Sequence, residues 1–167
     1  KELSKRGQSC YLEVNLSGKS FIDKKLLPLI REELTKTGVN PGNLVFEITE
    51  TVVVENIGFA QRFIAELKAM GCRFALDDFG TGFSSFNYLR RLPVEYLKID
   101  GSFIQNLLHD PVDQHLVKAM VEVARGLGKK TIAEFVENAE TVHLLRELGV
   151  DYAQGYYIGK PCPISEL

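Results

Sequence analysis

The chain has 167 residues, of which 45% are hydrophobic and 25% charged, and a formal net charge of −2. That is enough chain for one domain with a sizeable core. The near-neutral balance gives no electrostatic reason to expect DNA, RNA or a membrane surface as a partner, and no apolar run approaches the ~20 residues that span a bilayer.

Cys10, Cys72 and Cys162 are widely spaced and form no CxxC pair. This argues against a zinc or redox motif and for free thiols in a reducing cytoplasm. The opening KELSKRGQSC lacks the apolar stretch of a signal peptide and reads as the end of a helix and a turn.

Strand and helix patterns then alternate. YLEVNLS (11–17) reads as a short strand. Residues 25–37 carry Leu26, Leu29, Ile30 and Leu34 at helical spacing and stop at Gly38. LVFEIT (44–49) is rich in strand formers. Residues 58–70 put Phe59, Phe63, Ile64 and Leu67 on one helical side, with Gly71 as the stop. RFALD (73–77) is a third strand, followed by a glycine-rich loop and a short helix over 84–91. YLKI (96–99) is a fourth strand, 111–127 a long helix and 131–136 a fifth strand. Residues 138–148 form a helix capped by Asn138 and stopped by Gly149. YAQGYYI (152–158) is a sixth strand, after which Pro161 and Pro163 break the pattern and Ser165 reads as a helix cap.

Six strand–helix units with nearly continuous apolar strands predict an α/β fold, its parallel sheet covered on both faces. No domain boundary is visible. An open doubly wound sheet and a barrel both fit, although no dinucleotide fingerprint follows the first strand. A closed barrel takes about eight units and ~250 residues, so a TIM-type (β/α) barrel here is partial, with about six of eight units.

Each strand ends in a polar residue that its apolar run does not require. These are Asn15; Glu47 with Glu50; the Asp77–Asp78 pair; Lys98 with Asp100; Glu134 with Glu137; and Gln154. In a parallel barrel such ends share one rim, where βα-loop chemistry sits. Singly, each has an ordinary explanation. A carboxylate caps a helix or lies on the surface, Asn15 or Asp100 starts a turn, and Lys98 is solvated. Six successive strand ends are not accounted for that way.

On one rim, Glu47, Asp77, Asp78 and Glu134 would crowd negative charge, and such carboxylates take up protons or bind cations. Oxygen donors without paired His or Cys favour Mg²⁺ or Mn²⁺ over zinc. Two such ions are the common apparatus of phosphodiester hydrolysis, with Lys98 available to orient a water or neutralise charge. In the loop DDFGTGFSSFNYL (77–89), Gly80 and Gly82 permit sharp turns. Ser84 and Ser85 can cap the next helix, whose N-terminus could face a phosphate. Tyr156 or Tyr157 is a base-stacking candidate, whereas His109, His115 and His143 show no ligand spacing.

VNLS, FEITET, ALDDFGTGFSSFNYL, LKIDGSFI, IAEFVEN and AQGYYIGKP, in this order, cover nearly the whole chain. In these segments the sequence resembles the EAL-domain phosphodiesterases of bacterial cyclic di-GMP signalling. The resemblance implies that residues 1–167 are the C-terminal two-thirds of an EAL domain, a modified TIM barrel with one strand running against the others. It implies hydrolysis of cyclic di-GMP to linear pGpG with two Mg²⁺ or Mn²⁺ ions. By motif position, Asn15, Glu47, Asp77, Asp78 and Glu134 match the metal ligands, with Asp77 bridging. Lys98 matches the lysine that contacts the attacking water, and Gln154 the glutamine that supports that water or its metal; with Glu134 these form the catalytic set. Glu50 matches the anchor of the DDFGTG loop, a loop that also shapes a homodimer contact. Glu137 matches the second glutamate of the AExVE segment, and Asp100 and Tyr156 remain substrate-side candidates. The implied location is cytoplasmic, including as the cytoplasmic part of a membrane-anchored sensor.

Two departures matter. The Glu-Ala-Leu motif, which supplies one more metal ligand, does not occur in the chain. Weak or absent turnover is therefore expected of these residues alone, and a barrel edge is expected to be left unpaired. A catalytically silent cyclic di-GMP-binding or partner-binding module is the alternative, and the residues at the Glu-Ala-Leu position would discriminate. Second, Phe135 stands where many members have glycine. Strand alternation predicts that its side chain points away from the rim.

Overall fold

The computed structural model describes residues 11–82 and 86–163. The described strands are β1 (Leu12–Asn15), β2 (Leu44–Thr49), β3 (Arg73–Phe79), β4 (Tyr96–Ile99), β5 (Lys130–Ala133) and β6 (Tyr152–Ala153). The helices are α1 (Gly18–Phe21), α2 (Leu26–Thr37), α3 (Glu50–Glu55), α4 (Ile57–Ala69), α5 (Phe86–Arg91), α6 (Pro111–Gly126) and α7 (Ala139–Leu148). The strands form one sheet in chain order, as expected of an α/β barrel-type chain in which each crossover returns beside the strand before it. None of the described helices is long and apolar enough to cross a membrane.

The chain divides into two compact units. The first holds residues up to Ala75 together with Ser85–Val94, and the second holds Leu76–Ser84 and everything from Glu95 on. In the first unit β1 and β2 pair in parallel, which sets Asn15 beside Glu47. Its core is aromatic. Phe21 meets Phe59 and Phe63 edge-on at 5.0 and 4.9 Å, and Phe74 packs against Phe63 and Phe46. Such edge-to-face pairs add roughly 0.5–1.5 kcal/mol each beyond area burial. Helix α4 contributes its expected stripe, with Phe63, Ile64 and Leu67 buried.

In the second unit β4, β5 and β6 pair in parallel, with Ile99 opposite Ala133 and Ala133 opposite Ala153. Helix α6 buries Val117, Met120, Val121 and Ala124, at the spacing of a single helical face. Asp110 caps α6 by accepting from the Val112 N–H at 2.8 Å, and Pro111 follows as a preorganised first residue. Asn138 caps α7 as predicted, accepting from Thr141 N–H at 2.8 Å, and Gly149 closes it in the left-handed conformation.

Several expectations need correction. Burial on both faces fails for β1, whose four residues are all exposed at the sheet edge, and α2 buries none of its residues. The fifth strand stops at Ala133 and the sixth spans only Tyr152–Ala153. Gly155 at φ 158° is packed against the Val136 backbone, and residues beyond it turn rather than extend. Helices α1 and α3, both under two turns, carry too little periodicity to be seen in sequence. Cys72 is a buried free thiol, whose pKa burial pushes up, and Cys162 an exposed one. The expectations for the opening segment, Cys10, Ser84, Ser85 and Ser165 lie outside the described residues.

At the N-terminal ends of β5 and β6, Asp151 ties the strands together. It accepts from Lys130 Nζ at 2.5 Å, Thr131 N–H at 2.9 Å and Thr131 Oγ1 at 3.1 Å. Burial pushes this carboxyl up, but the bonds from Lys130 and Thr131 outweigh it and hold its pKa below the ordinary value. A carboxyl depressed in the folded state stabilises above its unfolded pKa of about 3.9 and loses that contribution as pH falls through the lower folded value. Asp151→Asn is therefore expected to lower stability by about 1–3 kcal/mol at pH 7. In urea unfolding, the gap to the parent chain should close as the pH is taken below that range.

Candidate metal centre at the strand ends

Strand β3 ends in two carboxylates. Leu76 is fully buried, while Asp77 and Asp78 are half-buried. In a regular strand neighbouring side chains point to opposite faces. Asp78 breaks that rule, because its φ of 56° lies in the left-handed region, which Asp tolerates better than most residues. The turn is secured behind it, where Thr81 donates to the Asp78 carbonyl through both N–H and Oγ1, at 3.3 and 2.9 Å. Gly80 sits at φ 103°, and a Cβ there would stand 2.4 Å from Met120 Cε, the movable end of that side chain. The sharp turn expected of Gly80 is thus required by its backbone.

The result is a convergence. Asp77, Asp78 and Glu134 each offer an oxygen, all within 4.8 Å of one another. Glu134 reaches this position from just beyond β5, its N–H held by the Ile99 carbonyl at 3.3 Å. Lys98, on the face of β4 opposite Leu97 and Ile99, is buried with only 3% exposure. Its ammonium lies 2.8 Å from Glu134 Oε1 and 3.2 Å from Asp77 Oδ1. Lys98 is therefore not the solvated side chain that its sequence position alone suggests.

Three carboxylates against one ammonium leave an excess of negative charge. Asp77 Oδ1 is also buried without a hydrogen bond among the described residues, its contact with Lys98 being electrostatic. The Lys98 ammonium offsets only part of that charge, and the remainder favours a further cation or a proton. An oxygen-only donor set suits a hard divalent cation such as Mg²⁺ or Mn²⁺. The residues present thus fit a divalent metal.

The other candidates fall into place within their own units. In the first, exposed Asn15 and buried Glu47 are neighbours across β1 and β2. Glu50, 1% exposed, accepts from Tyr88 Oη at 2.5 Å, on the helix that follows the DDFGTG loop. In the second, Glu137, Gln154 and Tyr156 line a cavity of about 320 Å³ beside Glu134. Asp100 serves as a cap, accepting from Ser102 N–H at 3.0 Å, which is the turn reading of that residue. Lys160 Nζ lies 5.8 Å from the centre of the Tyr156 ring.

Phe135 corrects the sequence reading. Strand alternation does not apply beyond Ala133. The residue sits at φ 53°, and its ring, 54% exposed, lines the same cavity as Glu134. Sequence reasoning also missed Tyr88. Its place in the FNYL segment gives no hint of a carboxylate partner 38 residues away.

Removing one partner from a buried ion pair costs about 3–5 kcal/mol, because the remaining charges stay buried. Lys98→Met, in protein treated with chelator, should therefore unfold about 6–20 °C below the parent in thermal melts, at ~2–4 °C per kcal/mol for a chain of this size.

The family model for the EAL domain matches residues 1–161. The chain is 42% identical over 154 residues to the cyclic di-GMP phosphodiesterase PdeB of Shewanella oneidensis; this covers 92% of the chain and 18% of the relative. Among solved structures, it resembles the c-di-GMP complex of the PaMucR phosphodiesterase with a TM-score of 0.89 and 37% identity, covering 93% of this chain and 63% of that one. It resembles the EAL domain of Mycobacterium smegmatis DcpA with a TM-score of 0.91 and 32% identity, covering 99% and 75%. The chain spans about a fifth of the length of the curated relative it matches. On this agreement of sequence and fold, the chain belongs to the EAL domain family.

Proposed function

We propose that the protein containing this chain hydrolyses cyclic di-GMP to linear pGpG with two divalent ions, Mg²⁺ or Mn²⁺. The observation that carries the reading is the Asp77–Asp78–Glu134 cluster, with the Lys98 ammonium against Asp77 and Glu134. Relatives named cyclic di-GMP phosphodiesterases point to the substrate.

Asn15, Glu47, Asp77, Asp78 and Glu134 are the residues that would hold the ions. When bound, the ions polarise the phosphoryl oxygens and lower the pKa of a coordinated water. The chain's own groups do the rest. Lys98, fixed between Asp77 and Glu134, orients the attacking water and offsets negative charge as it grows at phosphorus. Gln154, at the mouth of the cavity, supports that water. Water adds to phosphorus, one ribose oxygen leaves with a proton, and the opened ring keeps a 5′-phosphate. Glu50 accepts from Tyr88, on the helix that follows the DDFGTG loop, in keeping with a loop-anchoring role, while Glu137 and Tyr156 line the cavity and are the substrate-side candidates.

In the full-length protein, Mn²⁺- or Mg²⁺-dependent conversion of cyclic di-GMP to pGpG, followed by anion-exchange chromatography, should appear. It should drop by orders of magnitude in Asp77→Ala. Full activity in that variant would sink the two-metal reading. Tight cyclic di-GMP binding without turnover in the parent protein would favour the silent binding module.

A further inference from the structure

The backbone beyond β5 is strained beside the metal centre. Phe135 adopts φ 53°, in the left-handed region that disfavours a residue with a side chain. Its neighbours are pinned on both sides. Glu134 N–H donates to the Ile99 carbonyl at 3.3 Å and Val136 N–H to the Gln154 carbonyl at 3.0 Å. Residue 135 must therefore turn outward between two fixed points.

Its ring rests on Gly101. A Cβ at Gly101 would stand 2.2 Å from Phe135 Cδ2 and 2.7 Å from Cγ. Gly101 is buried at the start of the 3-10 turn after β4, and its φ is not among the positive values. Its backbone does not demand glycine, so it is the Phe135 ring that excludes a side chain there. The two residues also join the strand ends that carry the ion pair. Gly101 follows Lys98 on β4, Phe135 follows Glu134 after β5, and Lys98 Nζ lies 2.8 Å from Glu134 Oε1.

We propose that Phe135 and Gly101 form a size-complementary lock that positions the Glu134 carboxylate against Lys98. Gly101 is then a positioning residue of the metal centre, and a side chain at 101 is compatible with the site only when residue 135 is small. The inference rests on the divalent-metal reading of that site. Groups that orient a metal ligand typically change metal affinity 10–100-fold when disturbed.

The experiment is a double-mutant cycle on the full-length protein, freed of metal and titrated with Mn²⁺ alone. Free Mn²⁺ is followed by electron paramagnetic resonance and metal-free stability by thermal melts. Gly101→Ala should weaken Mn²⁺ binding at least about tenfold. Phe135→Gly should weaken it only a few-fold and leave the melting temperature unchanged or higher, since the strained φ suits glycine. In the Phe135→Gly background, Gly101→Ala should have no further effect, which is the coupling a merely additive loss of stability lacks. An equal effect of Gly101→Ala in both backgrounds, or none in the parent, overturns the lock while leaving the metal reading intact. If Gly101→Ala alone does not fold, recovery of folding and Mn²⁺ binding in the double variant supports the lock, and failure of the double variant overturns it. Absence of Mn²⁺ binding in the parent protein overturns the metal reading and the lock with it.

Discussion

The second unit depends on one buried cation. Lys98 places its ammonium between the Asp77 and Glu134 carboxylates with almost no exposure to water. Without it, three converging carboxylates would face one another at short range, and such a cluster is stable only with protons or cations to offset it. With it, the cluster is partly neutralised yet still acidic. That imbalance holds the cluster together while leaving it net negative. The geometry around Lys98 follows from strand order. Parallel pairing of β4 and β5 brings Lys98 alongside the end of β5, and the next residue out is Glu134.

Strain has been placed where it serves that arrangement. The two positive-φ residues other than glycine among those described are Asp78 and Phe135. One is itself a carboxylate of the cluster and the other directly follows one. In each case the departure from strand geometry redirects a side chain that alternation would send elsewhere. Both are overdetermined by their surroundings, Asp78 by the bonds from Thr81 and Phe135 by the pinned backbone of its neighbours. The apolar contacts of α6 and the capped start of α7 provide the rigid frame.

Much of the fold was legible in the sequence because its helices announce themselves. Gly38 and Gly149 end α2 and α7 in left-handed caps, Asn138 opens α7 with its side chain, and LVFEIT and YLKI are strands with the predicted bounds. The failures have physical causes. YAQGYYI reads as a strand by composition, but the Ile158 and Gly159 N–H groups both return to the Gly155 carbonyl at 3.0 Å, which closes a turn instead. The general expectation of strands covered on both faces fails at β1, which is exposed at the sheet edge, where an unpaired edge was also expected.

The sequence by itself determined the family and the residue types at the strand ends. Carboxylates, an amide and a lysine recur there, and their motifs are those of the EAL domain. What only the tertiary structure decided is how far each residue takes part. Lys98, read in sequence as a rim lysine that could neutralise charge, is the buried counter-ion of two named carboxylates, Asp100 becomes a cap, and Phe135 moves from a bystander to the wall of the cavity. The reason is common to all three. Residue type and spacing show which strand end a side chain stands on, but its direction and charge environment are set by the backbone turn beyond the strand and by neighbours distant in sequence.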